Sequence, residues 1–176
     1  MNHYKNFLEL AAGRYSVRKF ADRPIEQEVL DQILKAGHLA PTACNFQPQK
    51  ILVINSREAL EKLSRCTRSF FNAQAAMLIC YDKNLCWKRG ADEKPSGEVD
   101  ASIVTTHLML QAAALGVGST WVMAFDPKAI RSEFQIPENI VEVALLVMGY
   151  PAPDAEPSPR HTQYRPAEEI VSYNRF

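Results

Sequence analysis

The chain carries no excess of charge in either direction: 20 Lys and Arg balance 20 Asp and Glu across 176 residues. That balance excludes nucleic acid as the main partner, because no basic surplus is present to neutralise a run of phosphates. Cysteine pairs of the Cys-x-x-Cys type are missing too. Cys44, Cys66, Cys80 and Cys86 have no metal-ligand spacing, so free thiols in a reducing cytoplasm are expected and no metal site is. The opening "MNHYKNFLEL" lacks a basic segment followed by an apolar run, which excludes a signal peptide there. The longest apolar-rich stretch, residues 103–117, is broken by His107 and Gln111 and is too short to span a bilayer. A cytoplasmic protein with no membrane partner is therefore expected. Walker, HExxH and GxSxG sequences are absent, as are internal repeats. His38, His107 and His161 are scattered without evident partners. An enzyme of this composition must borrow its reactive group from a cofactor.

What is present is an ordinary soluble composition, 47% hydrophobic and 23% charged, of a length that suggests one domain over residues 1–176. Tyr4, Phe7, Leu8 and Ala11 recur at helical spacing, with Gly13 as a stop. Val29, Leu30, Ile33 and Leu34 form the apolar stripe of a second helix ending near Gly37. "KILVI", "AAMLICY", "STWVMAF" and "VEVALLVMGY" read as four strands. Ser56 is placed to cap a helix, and Asp126-Pro127 to cap and open another. Residues 97–115, apolar on most of their circumference, predict a long buried helix that includes Val99, Ile103, Val104 and Leu108. Residues 82–97 are polar and irregular around Trp87. Residues 151–176 hold five of the 11 prolines, a composition suited to wrapping over a surface rather than to a core. The order of elements predicts an α+β domain, one sheet covered by helices.

The stretch "RYSVRKF" gathers Arg14, Arg18 and Lys19 around Ser16. In a strand Arg14, Ser16 and Arg18 share a face; in a helix Arg14 and Arg18 still do. Two guanidinium forks and a hydroxyl suit a phosphate, which accepts paired N–H bonds. A solvated basic turn is the plain alternative. "LGVGSTW" invites a dinucleotide-binding reading, but its glycines follow a helix and precede a strand, and Trp121 stands where a third glycine should be.

Taken in order, "RYSVRKF", "APTACNFQPQ", "LGVGSTW", "GYPA" and "YRPAEEIV" resemble the nitroreductase family of FMN-dependent oxidoreductases over nearly the whole chain. The resemblance implies an α+β fold with a central, mostly antiparallel sheet and an intertwined homodimer, the tail of residues 151–176 embracing the partner. It implies that Arg14, Tyr15, Ser16 and Arg18 hold the FMN phosphate and ribityl chain, with Arg165 as a further phosphate contact. Gln163 stands where a second basic residue is usual. Pro41, Thr42, Ala43 and Asn45 would contact the flavin of the other subunit, Thr42 replacing a serine and Gln49 a tryptophan. Trp121, Val122, Met123 and Ala124 would line the isoalloxazine ring, the Met123 amide being the candidate donor to flavin N5. The implied activity is ping-pong: NAD(P)H delivers hydride to N5, leaves, and is replaced by a small acceptor such as a nitroaromatic or quinone. Flavin-dependent reductive dehalogenation, enoate reduction, and FMN binding or sensing without turnover remain open beside it.

Overall fold

The computed structural model describes residues 4–176; the first three residues of the "MNHYKNFLEL" reading lie outside them. The architecture is set by strand β2 (Ala75–Asp82), which is apolar at nearly every position because both its faces are buried. It pairs antiparallel with β1 (Gln49–Ile54) on one side and β4 (Ile140–Gly149) on the other, and β4 pairs antiparallel with β3 (Gly118–Val122). The sheet order is β1-β2-β4-β3.

Side chains of β2 alternate between two cores. Ala75, Met77 and Ile79 meet Leu30 and Ile33 of α2 (Gln27–His38) and Val104 and Leu108 of α4 (Gly97–Ala114). Ala76, Leu78 and Cys80 meet Leu63 of α3 (Arg57–Cys66) and Ile130 of α5 (Pro127–Glu133). Helices thus cover both faces of the single antiparallel sheet, which buries both sides of β2 in this α+β domain. The caps read from the sequence are formed. Ser56 accepts from the Ala59 amide, and Asp126 from those of Lys128 and Ala129 with Pro127 in the first turn.

Three departures from the sequence reading bear on the site. Helix α1 (Phe7–Gly13) begins at an Asn6 cap, and it buries none of its residues in this chain; Leu8 is 77% exposed. The third strand stops at Val122 rather than running to Phe125. The Phe125 amide turns back to the Met123 carbonyl (3.1 Å), and the Asp126 amide is drawn to the Cys66 carbonyl (2.8 Å). On α4, Val99 faces outward instead of into the core. The tail first folds along its own chain: the Ala152 amide donates to the Lys19 carbonyl (3.0 Å), and Lys19 pairs with Asp154. From residue 162 onward every position is exposed. Among the described residues no helix is long and apolar enough to cross a membrane.

Candidate functional site

Residues 14–18 leave α1 in extended form and run beside β3. Arg14 ends the helix, its amide on the Leu10 carbonyl at 3.0 Å. Two residues on, Ser16 and Ser119 form a parallel bridge, and the Val17 amide donates to the Ser119 carbonyl (3.0 Å). Val17, only 2% exposed, is the anchor of this segment, and its carbonyl also accepts from the Thr120 hydroxyl. Such close approach needs Gly118, where a Cβ would lie 2.6 Å from Val17 Cγ2. With Val17 turned inward, the period of two turns Arg14, Ser16 and Arg18 to the opposite side together. The strand alternative for "RYSVRKF" is the one the chain adopts.

That side borders a cavity of about 360 Å³ lined by Arg14, Tyr15, Ser16 and Arg18, and by Ser158, Arg160 and His161 of the tail. The tail is fastened there. His161 Nε2 donates to the Ala12 carbonyl (3.0 Å) and stands edge-on to Tyr15, ring centroids 6.1 Å apart, while the Tyr15 hydroxyl donates to the Ala155 carbonyl (3.3 Å). Among the described residues no ion pair involves Arg14, Arg18 or Arg160. Arg18 makes only a long 3.4 Å contact with the Ser16 carbonyl. Three guanidinium groups around one cavity with no carboxylate to balance them, plus a hydroxyl, form a receptor for a multiply charged oxyanion.

Arg165, singled out from the sequence, is elsewhere. It is exposed, with Nε and Nη2 both on Glu169 Oε2 at 3.0 and 2.8 Å, and it does not line this cavity. Arg160, His161 and Ser158 were missed by the sequence reading. The one signal was a basic pair directly after a proline in "SPRHT".

Strand β3 supplies the second part of the site. A strand residue's N–H and C=O point to the same side, and the sides alternate. Because the Ser119 carbonyl faces residues 16–17 on the outer edge, Trp121 faces that edge too, and Met123 follows one step past the strand. Val122 is buried, while Met123 is 70% exposed and Ala124 is exposed, its carbonyl accepting from Thr67 Oγ1 at 2.7 Å. The open edge thus begins two residues from the Ser16–Ser119 bridge.

The third part, residues 41–45, does not meet the arginine cavity within this chain. Pro41 and Asn45 are exposed and Thr42 and Ala43 half-buried. Cys44, Asn45 and Gln47 take left-handed backbone angles (φ 50°, 56° and 51°), held by a hydrogen bond from the Gln47 amide to Thr42 Oγ1 (3.1 Å). The loop is pinned by Asp100, a carboxylate 1% exposed in the first turn of α4. Its Oδ1 accepts from the Ala43 amide (2.9 Å) and its Oδ2 from the Ser96 hydroxyl (2.7 Å). Asp100 was also missed; its signal was an acid set between Val99 and Ala101 in a largely apolar helix. Elsewhere burial pushes the Cys80 thiol up to about 12, which removes it as a nucleophile.

The sequence pattern of the nitroreductase family matches residues 11–150, which include residues 14–18, the 41–45 loop and β3. The chain belongs to the nitroreductase family. A nitroreductase family protein of Clostridium difficile 630 superposes with a TM-score of 0.92 at 43% identity, covering 97% of this chain and 99% of that one. An Archaeoglobus fulgidus relative, provisionally named an NADH dehydrogenase/NAD(P)H nitroreductase, is 37% identical over 82% of this chain and 84% of its own. An FMN-dependent nitroreductase of Clostridium difficile R20291 superposes with a TM-score of 0.78 at 29% identity, covering 97% of this chain and all of that one.

Proposed function

We propose that this chain is an FMN-dependent oxidoreductase driven by NAD(P)H, working as a homodimer on a small organic acceptor such as a nitroaromatic or quinone. The observation that carries the reading is the trio Arg14, Arg18 and Arg160, which have no ion pair among the described residues and line one cavity beside the Ser16 hydroxyl. When bound, FMN supplies hydride transfer between NAD(P)H and the acceptor.

This chain's residues bind and orient. Arg14, Arg18 and Arg160 neutralise the phosphate, and Ser16 adds a hydroxyl donor. Within this chain Arg160 lines the cavity to which the sequence resemblance assigned Arg165, whose guanidinium is paired with Glu169 instead. Tyr15 fixes the tail that carries Arg160. The outward amides of Trp121 and Met123 offer fixed donors to the ring, Met123 serving flavin N5, while Val122 and Ala124 shape the wall. Pro41, Thr42, Ala43 and Asn45 complete the site of the partner subunit. Support for the dimer comes from apolar groups left uncovered: Phe7 and Leu8 on α1, Val99 on α4, and Ile170, Val171 and Tyr173 in the tail.

The test is the visible spectrum of the purified protein, then anaerobic titration with NADH and NADPH. A flavin spectrum bleached by either donor is expected, from a dimer by sedimentation that dissociates when residues 162–176 are deleted. Protein that takes up no FMN would end the reading; tight FMN that neither donor bleaches would favour the binding or sensing role.

A further inference from the structure

Helix α3 ends at Cys66, and Thr67 follows it in extended form (φ −153°, ψ 142°). Helix termination by itself does not call for a threonine at this point. The side chain is used for something else. Its hydroxyl accepts from the Ser69 amide (3.0 Å), closing a turn, and donates to the Ala124 carbonyl (2.7 Å). A hydroxyl has one proton to give, so its donor capacity is spent on Ala124. Thr67 is 7% exposed and branched at Cβ, which leaves the hydroxyl little freedom to turn elsewhere.

The partner of that bond is the open end of β3. The ladder with β4 ends at the Val122–Leu145 pair, and Val122 is anchored in the core with Leu63 and Ile130. Past it Met123 and Ala124 are exposed, so hydrogen bonds rather than burial hold their backbone. The Phe125 amide turns back to the Met123 carbonyl (3.1 Å), and the Asp126 amide donates to the Cys66 carbonyl (2.8 Å). Residues 66–67 thus grip residues 124 and 126, the ladder grips residue 122, and Met123 spans the gap. Any residue would supply the Cys66 carbonyl. The Thr67 hydroxyl is the part of the grip that depends on the side chain. Valine would fill nearly the same space and leave the Ala124 carbonyl and the Ser69 amide without this partner.

We infer that Thr67 is a positioning residue for hydride transfer: its hydroxyl holds the Met123–Ala124 backbone at the angle at which the Met123 amide serves flavin N5. The inference deepens the oxidoreductase reading and rests on it for the reaction served. A backbone donor assists a transition state when its direction is fixed beforehand, and a small misplacement lowers the rate without weakening binding. Thr67 does not line the arginine cavity, so the phosphate clamp is independent of it.

The experiment compares Thr67→Val and Thr67→Ser with the wild type; Thr67→Ala replaces Thr67→Val if that variant does not fold. Anaerobic stopped-flow reduction of the FMN-loaded protein by NADH and by NADPH separates the limiting rate from donor affinity. Thr67→Val is expected to lower the limiting rate about 5- to 10-fold and to change the dissociation constants of FMN and the nicotinamide less than about twofold. The midpoint potential of the bound flavin, read against redox dyes, should fall. Thr67→Ser, which keeps the hydroxyl, should restore most of the rate and the potential. In the flavin-free protein the Phe125 and Asp126 amides should exchange about 10-fold faster in Thr67→Val and at the wild-type rate in Thr67→Ser. A lower melting temperature with limiting rate and potential unchanged would mean a purely structural hydrogen bond and would overturn the positioning role. So would wild-type amide exchange at Phe125 and Asp126. Holoprotein that neither donor reduces would count against the oxidoreductase reading alone, because the dye-measured potential still decides the role of Thr67. Protein that takes up no FMN would refute both.

Discussion

If Arg14, Arg18 and Arg160 clamp a phosphate dianion, removing one fork should be felt by FMN and hardly at all by riboflavin. Charge-assisted hydrogen bonds contribute roughly 1.5–3 kcal/mol each. Two guanidinium groups remain after Arg18→Ala, so the loss falls in that range, or about 10- to 100-fold in affinity. The same loss is expected for Arg160→Ala, which lines the same cavity and has no ion pair to leave behind. Lys19 supplies the internal control. It follows Arg18 directly but is committed to Asp154, so Lys19→Ala should loosen the start of the tail and change FMN affinity less than about twofold. Arg18→Lys should recover only part of the loss, because a point charge lacks the planar fork. The assay is titration of flavin-stripped protein with FMN or riboflavin, followed by quenching of flavin fluorescence at low and high salt. Equal losses for Arg18→Ala and Lys19→Ala, or for FMN and riboflavin, would refute the phosphate clamp and leave a solvated basic turn.

Two further outcomes concern the frame around the site. Asp100→Ala strands the Ala43 amide and the Ser96 hydroxyl and should cost about 2–4 kcal/mol of stability by urea denaturation, with Asp100→Asn far milder because its amide oxygen still accepts. Glu26 accepts from the Tyr150 hydroxyl and from Arg23, which together hold its carboxyl down at about 2 against an ordinary 4.5. A depressed carboxylate stabilises the fold above about pH 4.5 and loses that contribution as pH falls toward 2. Wild type should therefore melt above Glu26→Gln at pH 7, the two curves converging by about pH 2; a gap that persists at pH 2 would contradict the linkage.

Features governed by neighbours in sequence were legible. The caps at Ser56 and Asp126, the strand at "AAMLICY" and the common face of Arg14, Ser16 and Arg18 follow from local hydrogen bonding or from the local run of residue types. Contacts across the chain were not. Arg160 and Arg165 sit in the same proline-rich tail, which has no periodicity to say which of them turns toward residue 14. Residues 87–96, polar and irregular when read in line, pair as a two-stranded ribbon around the Lys88–Pro95 bridge, the Ser96 amide donating to the Trp87 carbonyl and the Arg89 amide to the Lys94 carbonyl. The apolar spacing of α1 gave the helix but not its exposure, because periodicity shows that a face is greasy without showing which chain covers it.

The parallel bridge at Ser16 covers only the first part of the outer edge of β3. Beyond it the backbone of Trp121 turns donors and acceptors outward, the kind of edge onto which a second chain can add a strand. A ligand seated there withdraws the edge from such pairing. On the proposed flavin seat, colloidal behaviour and cofactor affinity are coupled: a substitution that weakens flavin retention should also uncover a template for self-association, which turbidity on storage would report.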